Sequence, residues 1–168
     1  MRALTIRQPW ASLIALGVKH IETRSWRAPQ SLIGQTIAIH AGKHRPPEGE
    51  HGRFAVRTLG AVGMYDTTNG HTWAPLPLGA IVATATLADC LPMVEMNGDD
   101  ERDGTCVVLN GTKAHIDHEG EFRLTDIADQ LPFGDFQPGR WAWMLTDVQP
   151  CDPVPAKGKQ GLWNWDGA

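Results

Sequence analysis

The sequence is short of the features that mark several common classes of protein. It has three cysteines in 168 residues, Cys90, Cys106 and Cys151, and no CxxC pair. An odd, sparse set of cysteines argues against a disulfide framework and indicates a reducing compartment. No apolar run is long enough to span a bilayer. The opening residues, MRALTIRQPW, contain neither an apolar h-region nor a cleavage site. We therefore predict a cytoplasmic protein with no membrane partner.

Motifs of several enzyme and metal-binding classes are also missing from the sequence. No glycine-rich phosphate loop precedes a helix, and neither GxSxG nor HExxH occurs. Cys106, His115 and His118 offer a thiol and two imidazoles, but their spacing matches no usual zinc pattern. The sequence therefore predicts no metal site and no cofactor.

The chain also lacks the positive excess that a non-specific duplex binder carries, because its formal net charge is −4. The charges are clustered all the same. Basic residues concentrate at 2–7, 19–27, 43–57 and 157–159, and acidic residues at 99–103 and 117–135. This pattern is compatible with a basic cleft, and equally with an acidic surface that has no nucleic-acid role. Charge alone does not decide between them.

What is present is the composition of one folded domain. Hydrophobic residues make up 42% of the chain and charged residues 20%, which is typical of globular proteins. No internal repeat, low-complexity tract or linker interrupts the sequence. A length of 168 residues fits one domain, so we predict that residues 1–168 form a single domain.

Short strands and short helices alternate along this domain. An amphipathic helix is predicted from Trp10, because Trp10, Leu13, Ile14 and Gly17 follow helical spacing, and Gly17 ends it. A second helix is predicted at 51–62, and loops at 63–78 and 97–104. Residues 121–131 allow a strand and then a helical turn, and the tail at 150–165 reads as an ordered loop. Alternation and β-branched runs predict strands at 2–7, 20–26, 35–41, 79–91, 105–109 and 140–148. The sum is an α+β fold with a barrel-like mixed or antiparallel sheet.

The first 26 residues carry a specific motif, in which a helix start is followed by a charged strand. Its positions are Gln8, Pro9, Trp10, Gly17, Lys19, Glu22, Arg24, Ser25 and Trp26. This motif resembles the signature of ASCH domains, first described in the activating signal cointegrator. Residues 37–42, 79–90 and 141–145 show further similarity to the family, and the tail at 153–165 resembles the closing segment of longer bacterial and phage ASCH proteins. The resemblance implies a PUA-like small β-barrel with short inserted helices, a fold associated with RNA binding.

Lys19, Glu22 and Arg24 form the chemical centre of this motif. The planar guanidinium of Arg24 suits a phosphate or a base edge. Glu22 can accept from an exocyclic amine or orient Arg24, and Lys19 can approach a ligand as a point charge. The alternative is a Glu22–Arg24 or Glu22–Lys19 ion pair on a sheet face. The resemblance favours a cleft.

Other motif and basic residues complete a predicted ligand-binding set. Trp10 and Trp26 can stack bases, although Trp10 also fits the core or the cleft wall, and Trp141 and Trp143 are predicted as core. His40 is either a cleft residue or a satisfied structural histidine. The tail lysines are either phosphate contacts or a solvated loop. The full set is Gln8, Trp10, Lys19, Glu22, Arg24, Trp26, His40, Lys43, Lys157 and Lys159.

Three functions remain open on the sequence. The first is a module that binds single-stranded RNA or a modified nucleotide in a basic and aromatic cleft. The second is a hydrolase in the same cleft, because some ASCH relatives are acetylcytidine amidohydrolases and a ribonuclease activity is associated with the family. Lys19 and Glu22 would then be catalytic; the relatives' threonine position is occupied by Glu22, with Thr23 one place further on. The third is a protein-interaction module.

Overall fold

The computed structural model describes residues 1–44, 76–94, 106–109, 112–116, 122–126 and 129–167. Within these residues the chain forms nine strands, one α-helix and two 3₁₀ turns. The helix α1 is Trp10–Ala15, and the 3₁₀ turns are Gln30–Leu32 and Leu131–Phe133. The strands are β1 (Arg2–Ile6), β2 (Ile21–Arg24), β3 (Thr36–Ala41), β4 (Ala80–Val94), β5 (Cys106–Leu109), β6 (Thr112–Ile116), β7 (Phe122–Asp126), β8 (Trp141–Pro155) and β9 (Leu162–Asn164). No helix in the described ranges is long and apolar enough to cross a membrane.

The chain divides into two compact units, each made of separate stretches of sequence. The first comprises Met1–Lys19, Thr36–Thr86 and Asp147–Ala168, and the second comprises His20–Gln35 and Leu87–Thr146. The boundaries between the units fall inside β4 and β8, which therefore contribute residues to both. The prediction of a single domain over residues 1–168 stays a prediction.

The first unit is built on a mixed sheet in the order β4, β3, β1, β9. Strand β1 runs parallel to β3 and antiparallel to β9. The first part of β4, from Ala80 to Thr86, pairs antiparallel with β3, with an irregularity between Ile39 and His40. Strand β3 is buried on both faces from Ile37 to Ala41, as its nearly continuous apolar run predicts.

Helix α1 of the first unit confirms the predicted start and end of the helix. It begins at Trp10 and buries Leu13 and Ile14. Gly17 adopts a positive φ of 71°, and its N–H donates to the carbonyl of Ile14 over 2.8 Å. Glycine tolerates this left-handed conformation without the steric penalty of a Cβ atom, so the chain turns here and leaves the helix.

The second unit contains an antiparallel ribbon of β2 and β8, of which β8 also pairs with β4, and a three-stranded meander. In the ribbon, β2 pairs with the first four residues of β8, from Ile21 opposite Met144 to Arg24 opposite Trp141. In the meander, β5, β6 and β7 pair antiparallel in sequence order, and β5 joins the end of β4 in parallel. One face of the ribbon packs into a core of Ile21, Leu91, Met93 and Ala142, with Phe136 and Met144 against it.

Comparison with the predicted elements shows one clear error and several agreements. The predicted mixed α+β class, the strands at both ends of the chain, and the strand followed by a helical turn after residue 121 are confirmed. The tail is not a loop throughout, because Pro150–Pro155 continues β8 and Leu162–Asn164 forms β9. The three prolines between positions 150 and 155 suggested a loop. Proline is nevertheless tolerated in a strand at positions where the backbone does not need to donate a hydrogen bond to a neighbouring strand.

Some predicted elements cannot be compared with the structure. The helix at 51–62, the acidic loop at 97–104 and most of the loop at 63–78 lie outside the described residues. In the opposite direction, no sequence prediction covers β6 (Thr112–Ile116).

Candidate functional site

The β2–β8 ribbon of the second unit gathers the charged and aromatic residues of the ASCH-like motif. Residues directly opposite each other on paired strands share a face of the sheet. Glu22 lies opposite Trp143, and Arg24 lies opposite Trp141. Since side chains alternate along each strand, these four residues occupy one face of the ribbon, and the apolar core occupies the other.

Glu22 and Arg24 form an ion pair on this face. The Nε atom of Arg24 lies 3.1 Å from Oε1 of Glu22, and their side chains are 20% and 12% exposed. Because the pair is partly buried, dissolved salt weakens the attraction between its charges less than it weakens a surface ion pair. This is the Glu22–Arg24 ion pair that the sequence offered as the alternative to a cleft. The ligand roles of both residues stay predictions.

Trp26 lies against the same face through Trp143. The two rings meet edge to face, with centroids 4.7 Å apart and planes at 84°. The indole N–H of Trp143 donates to the carbonyl of Trp26 over 3.3 Å. Trp143 is completely buried and Trp26 is half-buried. The buried ring thus supports the more accessible one in a fixed position.

Trp141 corrects the prediction that both tryptophans of β8 belong to the core. Trp143 is core, but Trp141 is half-buried, and the Cζ atom of Arg27 lies 5.4 Å from the centre of its ring. Arg27 is exposed and also donates to Oε1 of Gln30 over 3.1 Å. A guanidinium over an indole face is a cation–π contact, which explains why this tryptophan is not drawn into the core.

Arg27 is the residue of this face that the sequence prediction left out. It follows Trp26 directly and belongs to the predicted basic cluster at 19–27. Its position directly after the motif was the only sequence signal that could have indicated Arg27 as a binding residue. Its aromatic partner Trp141 is remote in sequence, so no local pattern reveals the contact.

Thr23 points away from this face. It is 8% exposed, and its Oγ1 atom accepts a hydrogen bond from the backbone N–H of Asp135 over 3.0 Å. As the residue between Glu22 and Arg24 on a strand, it lies on the opposite side of the ribbon. Thr23 therefore does not place a hydroxyl beside Glu22, as a shifted threonine of the amidohydrolase motif would need to.

Gln8, Trp10 and Lys19 are in the first unit, around α1. Gln8 is completely buried; its amide nitrogen donates to Oγ of Ser12 over 2.9 Å and to the carbonyl of Pro77 over 2.8 Å. Trp10 is half-buried, and its indole nitrogen has no hydrogen-bond partner within the described ranges. Lys19 has no exposed surface. Gln8 thus serves to hold the start of the helix, and the ligand roles of Trp10 and Lys19 stay predictions.

His40 lies in the first unit, beneath the C-terminal tail. It is 2% exposed, with Nδ1 3.1 Å from Oγ1 of Thr5 and Nε2 3.2 Å from the carbonyl oxygen of Ala156. Trp163 meets its ring edge to face at 5.4 Å. Burial, followed by the charge of Lys43, lowers the pKa of His40 despite the opposing contact with the Ala156 carbonyl.

Thr5 connects His40 to the tail and to Trp163. Its hydroxyl donates to the carbonyl of Lys159 over 2.5 Å and accepts from the indole N–H of Trp163 over 3.0 Å. Both ring nitrogens face atoms of the chain itself, which is the arrangement of a structural histidine.

The remaining basic residues of the predicted set surround the tail in the same unit. Lys43, Lys157 and Lys159 are all exposed. The structure thus brings Glu22, Arg24 and Trp26 together in the second unit, and His40 together with the tail in the first. Among the described residues no three His, Cys, Asp or Glu side chains form a group that could hold a metal ion; His118 lies outside them.

Comparison with known proteins identifies the family. None of the curated proteins compared with the chain matches it. A crystal structure of a mutant of ZmASCH from Zymomonas mobilis is similar at 14% sequence identity and a TM-score of 0.46, covering 98% of this chain and 90% of that one. The family model of the ASCH domain matches residues 4–115, which is more than half of the 168 residues. This match confirms the resemblance noted in the sequence, and the observed strands and short helices confirm the α+β class of fold. The chain belongs to the ASCH domain family.

Proposed function

We propose that this ASCH domain binds single-stranded RNA, or a nucleotide, on the arginine–tryptophan face of the second unit. That face consists of Arg24, Trp26, Arg27 and Trp141. The observation that carries the proposal is the exposed guanidinium of Arg27 over the half-buried ring of Trp141. Unpaired bases stack on aromatic rings and on guanidinium planes, and single-stranded RNA exposes its bases for this purpose.

The neighbouring strand supplies a second cation. Arg24 lies opposite Trp141 in the register of the ribbon, and its Nε atom is 3.1 Å from Oε1 of Glu22. A positioned guanidinium binds a phosphate or a base edge through two parallel hydrogen bonds. The combination of a stacking surface and an adjacent fork suits a nucleotide better than it suits a flat protein partner. The PUA-like fold, which is associated with RNA binding, supports the same class of ligand.

A binding assay tests the proposal. We expect a short labelled oligouridylate to bind the protein in a fluorescence anisotropy titration, and Trp141→Ala to weaken it. Loss of one stacked base corresponds to about 1–3 kcal/mol, or about 5- to 150-fold in Kd. Arg27→Gln and Arg24→Gln should weaken binding as well, and more so at low salt, because each removes a phosphate or base contact.

Arg140→Gln is the matched control. Arg140 precedes Trp141 but pairs with Asp135, through an Nε–Oδ2 distance of 3.4 Å. Asp135 in turn contacts Thr23 on the opposite side of the ribbon. The control therefore removes one cation next to the start of β8 and leaves the four residues of the proposed surface unchanged. Equal loss of affinity in Arg140→Gln and Arg27→Gln would reject the surface and leave only non-specific attraction.

Hydrolysis in the same family is the competing function, and chromatography of acetylcytidine incubated with the protein tests it. The orientation of Thr23 does not favour it, because that hydroxyl lies on the other side of the ribbon from Glu22 and accepts from Asp135. We expect no turnover. Turnover that is abolished by Lys19→Ala and by Glu22→Gln would instead identify an enzyme. Absence of both binding and turnover would direct attention to protein partners.

A further inference from the structure

The tail of the first unit, residues 156–161, is held against the sheet by a series of hydrogen bonds. The N–H of Ala156 donates to the carbonyl of Gly79 over 2.9 Å. At the other end, the hydroxyl of Thr5 donates to the carbonyl of Lys159 over 2.5 Å, and the N–H of Thr5 donates to the carbonyl of Gly161 over 3.1 Å. The backbone on both sides of Gly158 is therefore fixed.

Gly158 lies directly on the ring of His40. A Cβ atom at this position would be 2.1 Å from Cε1 and 2.5 Å from Nδ1 of His40. Both distances are far shorter than a carbon can approach these ring atoms, and the ring is enclosed by Thr5, Ala156 and Trp163. Only glycine allows the tail to pass this close, so His40 and Gly158 together set the height of the tail above the sheet.

Two exposed lysines flank this contact. Lys157 and Lys159 are exposed while Gly158 between them is half-buried, so the fixed backbone presents both ammonium groups to solvent. The side chain of Lys43 lies beside Gly79, which contacts the start of the tail. A Cβ atom on Gly79 would lie 2.9 Å from Cε of Lys43, and the carbonyl of Gly79 binds the start of the tail.

The charge balance of this unit is positive where the structure describes it. Its described residues include six cationic side chains, Arg2, Arg7, Lys19, Lys43, Lys157 and Lys159. The same residues include three carboxylate side chains, Asp147, Asp152 and Asp166. The chain as a whole has a net charge of −4. Cationic side chains therefore outnumber carboxylates among the described residues of this unit, and three of the six cations, Lys43, Lys157 and Lys159, are the exposed lysines around the tail.

We infer that the tail is a phosphate-binding edge for the backbone of a nucleic acid, with Lys43, Lys157 and Lys159 as contact residues and His40 and Gly158 as positioning residues. The contacts are point charges without stacking rings, so this edge recognises phosphates regardless of base sequence. Because the backbone is fixed before binding, little conformational freedom is lost when the lysines engage. The inference takes its partner class, nucleic acid, from the proposed function, but it uses none of the residues of the arginine–tryptophan face.

Salt dependence of binding separates this edge from a solvated basic loop. On single strands the slope of log K against log salt changes by about 0.7 for each phosphate contact. We expect Lys157→Gln/Lys159→Gln to reduce the magnitude of the slope for the oligouridylate by about 1.4. Arg2→Gln is the control, because it removes a cation at the other end of β1, where Arg2 binds Asn164. A slope in the double variant that equals the control slope would overturn the inference.

Positioning is tested without removing any lysine. Gly158→Ala should lift the tail from His40 and lower the slope as well, although all charges remain. If Gly158→Ala does not fold, Thr5→Val provides the same test, because it keeps the shape of the side chain and removes the donor to Lys159. Thermal melting monitored by circular dichroism verifies folding. Wild-type slopes in the folded positioning variants would show that the lysines act without a fixed tail and would reject the positioning role.

Inorganic polyphosphate, a polyanion without bases, distinguishes failure of this inference from failure of the proposed function. We expect polyphosphate binding to depend on Lys157 and Lys159 and to be unaffected by Trp141→Ala. If Trp141→Ala also leaves oligouridylate binding unchanged, the proposed function fails and the phosphate-binding edge stands. If the lysine substitutions leave polyphosphate binding unchanged while Trp141→Ala weakens oligouridylate binding, only the inference of a phosphate-binding edge fails.

Discussion

The indole nitrogen of Trp143 donates to the carbonyl oxygen of Trp26 over 3.3 Å, and the two rings meet edge to face. One buried side chain therefore fixes both the backbone and the ring of Trp26. Trp143 is completely enclosed, so its replacement leaves either an empty volume or an unsatisfied carbonyl. The ribbon depends on this residue more than on any exposed member of the proposed binding face.

Replacing Trp143 should therefore destabilise the fold. Trp143→Phe keeps an aromatic ring but removes the N–H donor and part of the volume, and we expect a loss of about 1–3 kcal/mol in the free energy of unfolding. Urea denaturation measures this loss. Trp141→Phe, at a half-buried site on the same strand, should cost less than about 0.5 kcal/mol. Equal costs at the two positions would contradict the burial that separates them.

Acidification should destabilise the protein through His40. Burial holds the pKa of this residue in the folded state below its ordinary value of 6.5. As the pH falls from about 6.5 toward the folded-state pKa, the unfolded chain therefore binds more protons than the folded one, and stability decreases over that interval. In urea denaturation between about pH 8 and pH 5, His40→Gln should lose less stability on acidification than the wild type.

His44→Gln is the control for this pH dependence. His44 is exposed, so its replacement should leave the change in stability with pH as it is in the wild type. A wild-type pH dependence in His40→Gln would mean that another group carries the effect.

A methyl group at Gly134 should disturb the core of the second unit. A Cβ atom there would be 2.8 Å from Cε2 of Phe136 and 2.8 Å from Cγ2 of Thr23. Since Phe136 packs on the core of the ribbon, we expect Gly134→Ala to cost about 1–3 kcal/mol by overpacking. Gly42→Ala, where the nearest side-chain atom would be 3.4 Å away, is the matched substitution. Thermal melting should show a lower Tm for the first variant than for the second.

The thiols at positions 90 and 151 should differ in their rates of alkylation. Cys90 is buried and receives a hydrogen bond from the N–H of Ala28 over 3.2 Å. Burial raises the pKa of its thiol, which lowers the fraction of reactive thiolate. Cys151 is exposed. In a Cys106→Ser background, mass spectrometry after iodoacetamide treatment should find position 151 modified first. Rapid labelling at position 90 without denaturant would contradict its burial.

Local sequence patterns predicted those parts of the fold whose causes are local. The positive φ of Gly17 and the helical spacing before it determine where α1 ends. Alternation in β2 placed Glu22 and Arg24 on one face, and the ion pair between them follows from that placement. The motif itself was sufficient to indicate the family that the comparison confirmed.

Contacts between distant parts of the chain could not be predicted in this way. Arg27 and Trp141 meet only because β2 pairs with β8 in one particular register. His40 and Ala156 are 116 positions apart, so nothing near either residue indicates that the tail crosses the histidine. The prolines of the tail also gave a misleading local signal, since they suit a loop and a strand without donors equally well. A single sequence does not distinguish these cases.

The described residues on either side of positions 45–75 are tied together by hydrogen bonds. The N–H of Gly79 donates to the carbonyl of Ala41 over 2.8 Å, the N–H of Gly42 donates to the carbonyl of Ile6 over 2.8 Å, and Gln8 binds the carbonyl of Pro77. The two ends of the intervening segment are thus held close together, and a longer or shorter segment between them changes the entropic cost of closure only slightly. We therefore expect an engineered change in the length of this segment to cost little stability. A reporter peptide inserted there would leave the pairing of β3 with β4 unchanged.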